Sequence, residues 1–185
     1  MRHEKEERIV DAENRVHFSL TRTFGSARCA SAVDESTPEL NIDAPGYIPA
    51  DYVPEAEVRI NLYARLARLA DEDDVDALDE EVRNRFGPPP EPVERLLALA
   101  RLRERCRNQA VARIDAGPQA IAVTVADGAD KGSIERAIAR SEGALAWRNE
   151  RLIWSRSTAT AQERLDNALK LLRFLEKAQR SRPPD

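Results

Sequence analysis

The sequence of 185 residues is poor in the side chains that most often carry catalysis or bind metal ions. Its two cysteines are Cys29 and Cys106, and its two histidines are His3 and His17. A zinc site or a histidine-based triad needs several such side chains in one motif, and these four form no paired motif. Two distant cysteines are typical of reduced cytosolic thiols and not of a disulfide framework. We therefore expect no metal ion and no cofactor, and Cys106 is predicted to be a buried structural thiol.

Long apolar runs are also missing. No stretch approaches the roughly 20 residues that cross a bilayer, and the charged residues 1–7 are followed by no apolar run of the kind found in signal peptides. We therefore predict a cytoplasmic protein without a membrane segment. The net charge of −4, from 29 basic and 33 acidic residues, gives no general argument for nucleic-acid binding.

No motif predicts an enzymatic activity. Residues 128–133 have glycines and a lysine but not the order or spacing of a phosphate-binding loop, so a strand-to-helix turn is the better interpretation. The acidic run over residues 71–79 lacks the glycine and spacing of a calcium loop, which favours helix capping and a solvated face. Carboxylates are plentiful, but no pair is placed as acid and base, so an unrecognised enzyme is the weakest hypothesis.

Apolar periodicity predicts three amphipathic helices between Pro54 and Asn108. The first two carry apolar residues at spacings of three and four, which places them on one helical face, and the third has a wide apolar surface. These are Val58, Leu62, Leu66 and Leu69 in the first helix, Val75, Leu78, Val82 and Phe86 in the second, and Val93, Leu96, Leu97, Leu99, Ala100, Leu102 and Cys106 in the third. Asp73 or Asp74 is predicted to cap the second helix, and Gly87 with the prolines after it to end that helix. Short connections would pack the three as a small bundle.

The sequence after residue 110 predicts strands and helices together. Residues 120–125 are rich in β-branched side chains and are typical of a strand. Ser133 is predicted to cap a short helix. Thr160 and Glu163 form a capping-box pattern, which predicts a final helix from there to about Lys177.

A hairpin is predicted between these two helices, with either Asn149 and Glu150 at its tip or a longer loop, because Asn-Glu is a weaker turn pair than Asn-Gly. This tip sets three cross-strand pairs: Arg148 with Arg151, Trp147 with Leu152, and Leu145 with Trp154. The last two pairs fall on one face, so the register is self-consistent.

The predicted fold class is α+β, with an N-terminal helical bundle followed by a small antiparallel sheet with helices. Residues 40–180 are predicted to form this domain. Residues 1–39 are left unassigned as an N-terminal segment that is flexible or carries a short strand at residues 16–20.

Four sequence elements carry a resemblance to a known family. They are IPADYVP at residues 48–54, Arg59 and Tyr63 in the helix that follows, NRFGPPP at residues 84–90, and LLALARLR at residues 96–103. Together they resemble the C-terminal domain of the bacterial transcription-repair coupling factor, over residues from about 40 to about 177. Asn84 departs from the acid usual in the family.

The resemblance implies a non-catalytic, regulatory protein–protein interaction domain. In that family the domain follows a DNA translocase motor, packs on a region similar to UvrB and masks the surface that recruits UvrA. The implied partners are therefore the UvrB-like region of a coupling factor or UvrA, and no ATPase activity is expected. Arg59, Arg85 and Arg101 are the candidate interaction surface. The chain is either a fragment of a coupling factor or a stand-alone paralogue, and its sequence carries no signal for the oligomeric state.

The alternative hypothesis is a nucleic-acid-binding accessory domain. It rests on the arginines of the third helix (Arg101, Arg103, Arg105 and Arg107) and on Trp147 and Trp154, which Arg148, Arg151 and Arg156 flank. The structural interpretation of the same residues is a solvated helix with pairs such as Arg101 and Glu104, and a hairpin core.

Overall fold

The computed structural model describes residues 37–127 and 129–180. Within these ranges the chain forms five helices and a five-stranded sheet, which confirms the α+β class. The elements are β1 (Glu39–Ile42), α1 (Ala56–Leu66), α2 (Glu72–Phe86), α3 (Glu91–Asn108), β2 (Val111–Ala116), β3 (Ala120–Val125), α4 (Lys131–Arg140), β4 (Leu145–Arg148), β5 (Arg151–Ser155) and α5 (Ala161–Arg180). The possible strand at residues 16–20, both histidines and Cys29 lie outside the described residues.

The three predicted helices of the first half are confirmed as α1, α2 and α3, but the cap of α2 differs from the prediction. Asp71 is the N-cap, and its Oδ1 accepts a hydrogen bond from the amide of Asp74 at 2.8 Å. The carboxylate of Asp74 instead accepts from the amide of Ala70. Several acids in succession can each cap a helix, so the spacing alone selected the wrong one. Gly87 ends α2 with a φ of 85°, as predicted.

The sheet has the strand order β1-β2-β3-β5-β4 and is mixed. Three of its pairs are antiparallel, whereas β1 runs parallel to β2, with Leu40 opposite Ile114. The prediction of a wholly antiparallel sheet is therefore wrong at this edge, and neither β1 nor β2 was predicted. β1 has only four residues, half of them polar, and its partner lies far along the chain, so no local pattern indicates it.

The predicted hairpin is confirmed in register. Trp147 lies opposite Leu152, Arg148 opposite Arg151 and Leu145 opposite Trp154. Asn149 and Glu150 have φ values of 49° and 61°, which is the conformation of a type I′ turn.

The caps of the last two helices give one correction and one confirmation. Asp130, not Ser133, is the N-cap of α4, and its carboxylate accepts from the amide of Gly132 at 3.0 Å and from the Ser133 hydroxyl. The capping box of α5 is present, with the Glu163 amide donating to Thr160 Oγ1 at 3.1 Å and the Glu163 carboxylate accepting from the Thr160 amide. This helix continues to Arg180, three residues beyond the predicted end.

Two hydrophobic cores share one helix. The helical core lies among α1, α2 and the first half of α3, and it includes Leu62, Leu66, Val75, Leu78, Val82, Val93 and Leu97. The sheet core lies between one face of the sheet and α3, α4 and α5, and it includes Leu102, Cys106, Ile114, Val123, Leu152, Leu165 and Leu172. Cys106 is fully buried as predicted, and burial raises the pKa of its thiol to about 12.

An extended segment of residues 43–49 connects β1 to the helical bundle and packs along α3. The amide of Tyr47 donates to the carbonyl of Pro92 at 3.2 Å, and the amide of Ile48 donates to the Tyr63 hydroxyl at 2.7 Å. At Gly46 the two backbones approach so closely that a Cβ atom would lie 2.6 Å from the Leu96 nitrogen. A glycine is therefore required at this crossing.

Replacing this glycine tests the close approach. G46A is expected to lower the free energy of unfolding by about 1–3 kcal/mol, because the added methyl group must push the segment away from α3. Urea denaturation measures the change. G117A is the matched control, since a Cβ there meets nothing nearer than 3.7 Å. Equal effects of the two substitutions would show that the contact with Leu96 does not constrain the segment.

Candidate protein-interaction surface

Charge is divided unevenly along the chain. Residues 39–94 contain 15 acidic and 5 basic side chains, whereas residues 95–180 contain 17 basic and 10 acidic ones. The two sets meet where α2 packs on α3, so many of the arginines at this boundary have carboxylate partners. An interaction surface must be sought among the charges that these contacts leave exposed.

The contact between α2 and α3 is held by Arg101. Its guanidinium donates to Asp76 at 2.9 Å and to Asp79 at 2.8 Å. Arg83 donates to the other oxygen of Asp79 at 2.7 Å. Partial burial by itself raises the pKa of Asp79, but the hydrogen bonds from the two arginines outweigh it and hold that pKa below its usual value. Arg101 therefore bonds across to α2 and not to Glu104, the partner that the sequence suggested.

The remaining arginines of α3 are also engaged or buried. Arg105 forms ion pairs with Glu72 at 2.6 Å and with Glu176 at 3.6 Å. Arg107 pairs with Glu104 at 3.1 Å. Arg103 is only 8% exposed, and burial lowers the pKa of its guanidinium. These side chains hold α3 against its neighbours, and none of them stands in a freely exposed basic row.

Arg59 and Arg85 have different surroundings. Arg59 donates to the carbonyls of Val53 and Pro54 at 2.7 and 2.8 Å, so it fixes the entry of the chain into α1. The side chain of Arg85 is 51% exposed, and its guanidinium lies 5.0 Å above the Phe86 ring. Of the three arginines named from the sequence, Arg85 is the one that the structure leaves most open to a partner.

The three arginines do not form one patch. Arg101 contacts Asp79, whereas Arg85 contacts Glu81, at 3.2 Å. Residues two positions apart on a helix point about 200° apart, so these two contacts lie on opposite sides of α2. The structure therefore separates Arg101, on the α3 side, from Arg85, on the α1 side.

Glu81 joins α1 to α2 beside Arg85. Arg65 on α1 donates to both carboxylate oxygens of Glu81, at 2.8 and 2.6 Å, in a bidentate pair. Hydrogen bonds from Arg65, and then from Arg85, lower the pKa of Glu81 from its usual 4.5 to about 2. The result is an ordered Arg–Glu–Arg cluster at the surface.

Ile60 is an exposed apolar residue that the sequence analysis passed over. Half of its surface is accessible, and it lies about 140° around α1 from Arg65, five positions further along the helix. Its position in the sequence could have predicted this exposure, because Ile60 lies outside the apolar stripe of α1. We call the set of Ile60, Arg65, Glu81 and Arg85 the α1–α2 surface.

The hairpin tryptophans are divided between surface and core. Trp147 is 45% exposed, whereas Trp154 is partly buried against the sheet core and lies 5.1 Å below the Arg156 guanidinium. Arg151 pairs with Asp115 at 3.0 Å. Of the aromatic and basic groups named for nucleic-acid binding, Trp147, Arg148 and Arg156 are thus exposed at the surface.

Three further features bear on ligands and membranes. The cavity at the helical core is lined by apolar side chains, and a second lies beside Gln109 and Ser133; each has room for little more than a water molecule. Among residues 37–127 and 129–180, no three histidine, cysteine or acidic side chains cluster as a metal ion would require. Within the same ranges, no helix combines the length and apolar character of a membrane span.

The fold is that of a coupling-factor C-terminal domain. A crystal structure of the C-terminal domain of a transcription-repair coupling factor superposes with a TM-score of 0.66 at 18% identity, and the match covers 80% of this chain and 96% of that one. The family described as TRCF domain matches residues 42–134, half of the chain. The chain belongs to this family of transcription-repair coupling factor domains.

The curated relatives are all named transcription-repair-coupling factor, and the match to this chain covers only a small part of each relative. The transcription-repair-coupling factor of Mycobacterium tuberculosis is 35% identical over 88 residues, which are 46% of this chain and 7% of the relative. That of Escherichia coli is 29% identical over 77 residues, 42% of this chain and 7% of the relative. That of Myxococcus xanthus is 27% identical over 142 residues, 75% of this chain and 12% of the relative. The chain thus corresponds to a small fraction of these proteins.

The Glu81 cluster predicts a pH dependence. The pKa of Glu81 is lowered by folding, so its stabilisation is present above the unfolded pKa, near 4.5, and is lost as the pH falls towards about 2. E81Q is expected to destabilise by up to about 1 kcal/mol at neutral pH, because the pair is partly exposed, and the difference from wild type should shrink below about pH 4. Urea denaturation across this range measures it, with E80Q at an exposed neighbouring position as control. A difference independent of pH would contradict the assignment.

Proposed function

We propose that the chain is a non-catalytic docking domain that regulates a transcription-repair coupling factor in the cytoplasm. Membership of the TRCF domain family is the observation that carries this proposal. The ionisation state of the partly buried carboxylates supports a non-catalytic role. Asp79 and Asp115 are each held by two arginines that outweigh burial and keep the pKa low, so both are ionised and unsuited to act as general acids near neutral pH.

The proposed mechanism is autoinhibition. The domain packs on the UvrB-like region of a coupling factor and masks the surface that recruits UvrA. Such masking needs little energy, because each ~1.4 kcal/mol of differential contact changes the population of the open form tenfold. A domain held together by two cores, with small cavities, fits a rigid cover better than it fits a ligand-binding protein.

We assign the contact to the α1–α2 surface. Ile60 supplies an exposed apolar group on α1, and the Arg65–Glu81–Arg85 cluster supplies ordered charge on the same pair of helices. An apolar anchor with polar neighbours is the usual centre of a protein–protein interface. Arg85 would contact the partner directly, whereas Arg59 and Arg101 would act indirectly by holding α1 and α2 in position.

The nucleic-acid alternative has less support. Arg101, Arg105 and Arg107 are committed to carboxylates of the domain itself. Trp147, with Arg148 and Arg156, gives one exposed ring, whereas a stacking platform for single strands uses several rings along a basic groove. We therefore place this function second.

Substitution of the exposed isoleucine tests the proposal. I60S is expected to weaken binding to the UvrB-like region of a full-length coupling factor by about fivefold or more, because it removes the apolar anchor. Pull-down followed by titration calorimetry measures the affinity. W147S is the matched control, since Trp147 is the other large apolar side chain that the described residues expose.

A competition experiment completes the test. Added domain should reduce UvrA binding to the UvrB-like region, and the I60S variant should reduce it less. A folded wild-type chain that binds neither the UvrB-like region nor UvrA would overturn the proposed function. Loss of binding in W147S and not in I60S would move the contact away from the α1–α2 surface.

A further inference from the structure

The outer face of α5 carries a row of four basic side chains. Lys170, Arg173, Lys177 and Arg180 are all exposed. Their spacings of three, four and three residues place them on one side of the helix. At 1.5 Å per residue the row is about 15 Å long.

The fold accounts for only part of this row. Basic residues in the last turn of a helix stabilise its carbonyl end, which explains Lys177 and Arg180. Arg180 also pairs with Glu176. Lys170 and Arg173 lie too far from the helix end for the same effect, which falls off within one turn. Neither has a carboxylate partner among the residues that the structure describes, unlike Arg101, Arg105 and Arg107 on α3.

The surrounding charge strengthens the row. Residues 95–180 hold a clear surplus of basic over acidic side chains. Two acids, Glu163 and Asp166, lie near the start of α5, where Asp166 accepts a hydrogen bond from Gln162, and Glu176 in the second half pairs with Arg180. Lys170 and Arg173 therefore present positive charge that these acids do not pair with.

Apolar side chains border the row on both sides. Leu169 and Phe174 are partly buried against the sheet core and lie on opposite flanks of the basic face. A partner that lies along α5 would therefore meet four cations and two apolar edges. A phosphodiester backbone would pair with the cations, which are the usual donors to phosphate, but would leave the two apolar edges uncovered.

We propose that the outer face of α5 docks an acidic amphipathic helix of a partner protein. Carboxylates at spacings of three and four residues on that helix pair with the basic row, while its apolar residues cover Leu169 and Phe174. This site lies on α5, which packs on the sheet core, whereas the α1–α2 surface belongs to helices that pack on the helical core. It therefore adds a second docking face to the proposed function.

A designed peptide provides the probe. It is helical, carries four glutamates at the spacings of the row and leucines on either side, and is compared with a scrambled peptide of the same composition. The full 185-residue chain should bind the designed peptide, measured by fluorescence anisotropy, and the affinity should fall as salt rises. K170E/R173E should weaken binding about tenfold or more, because two attractions become repulsions.

The control variant has the same change in net charge at other exposed positions. R68E/R148E should change the affinity less than about threefold, since these two exposed arginines lie outside α5 and would contribute only through screened long-range charge. Circular dichroism and thermal unfolding establish that the variants are folded. If K170E/R173E does not fold, K170Q/R173Q takes its place. The inference fails if the chain does not prefer the designed peptide to the scrambled one, if both charge-reversal variants bind alike, or if a short DNA duplex binds more tightly than the peptide.

Discussion

Helix α3 lies in both hydrophobic cores, and the arrangement of the domain depends on this. Its first half contributes Val93 and Leu97 to the helical core, and its second half contributes Leu102 and Cys106 to the sheet core. One rigid helix thus fixes the bundle relative to the sheet without a flexible joint between them. Since α3 packs in both cores, a displacement of the helical bundle is transmitted to the sheet through this helix.

The charges of α3 follow from the same constraint. A helix buried at both ends can place basic side chains only on the sides that its apolar residues leave, and these sides face α2 and α5. Arg101 and Arg105 accordingly pair with acids of those helices. Surface charge also lies on α1 and α2, where Arg65, Glu81 and Arg85 pair among themselves, and on the outer face of α5. The two faces proposed for docking therefore carry charge that the packing of α3 does not use.

Local patterns predicted much of this fold, and long-range contacts defined the rest. The 3.6-residue period of Leu62, Leu66 and their neighbours is an intrinsic property of a helix, and cross-strand pairing fixes a hairpin register within a few residues of its turn. The pairing of β1 with β2 has no such local signature. The candidate site was harder to predict from the sequence for the same reason. The partners of Arg101 lie 22 and 25 residues away, so its engagement could not be read from α3 alone.

The parallel edge of the sheet bears on how the domain assembles. Asn41 and Asp115, which bond across this edge at 2.8 Å, are 74 residues apart, and the whole helical bundle lies between them. Closing so long a loop carries an entropic penalty that is recovered only after the intervening helices have packed. We expect β1 to join last during folding and to detach first during local opening. Its release would leave the segment that crosses α3 at Gly46 anchored from one end, through the bonds of Tyr47 and Ile48 to the helical bundle, so the bundle can keep this segment in place while the edge of the sheet is open.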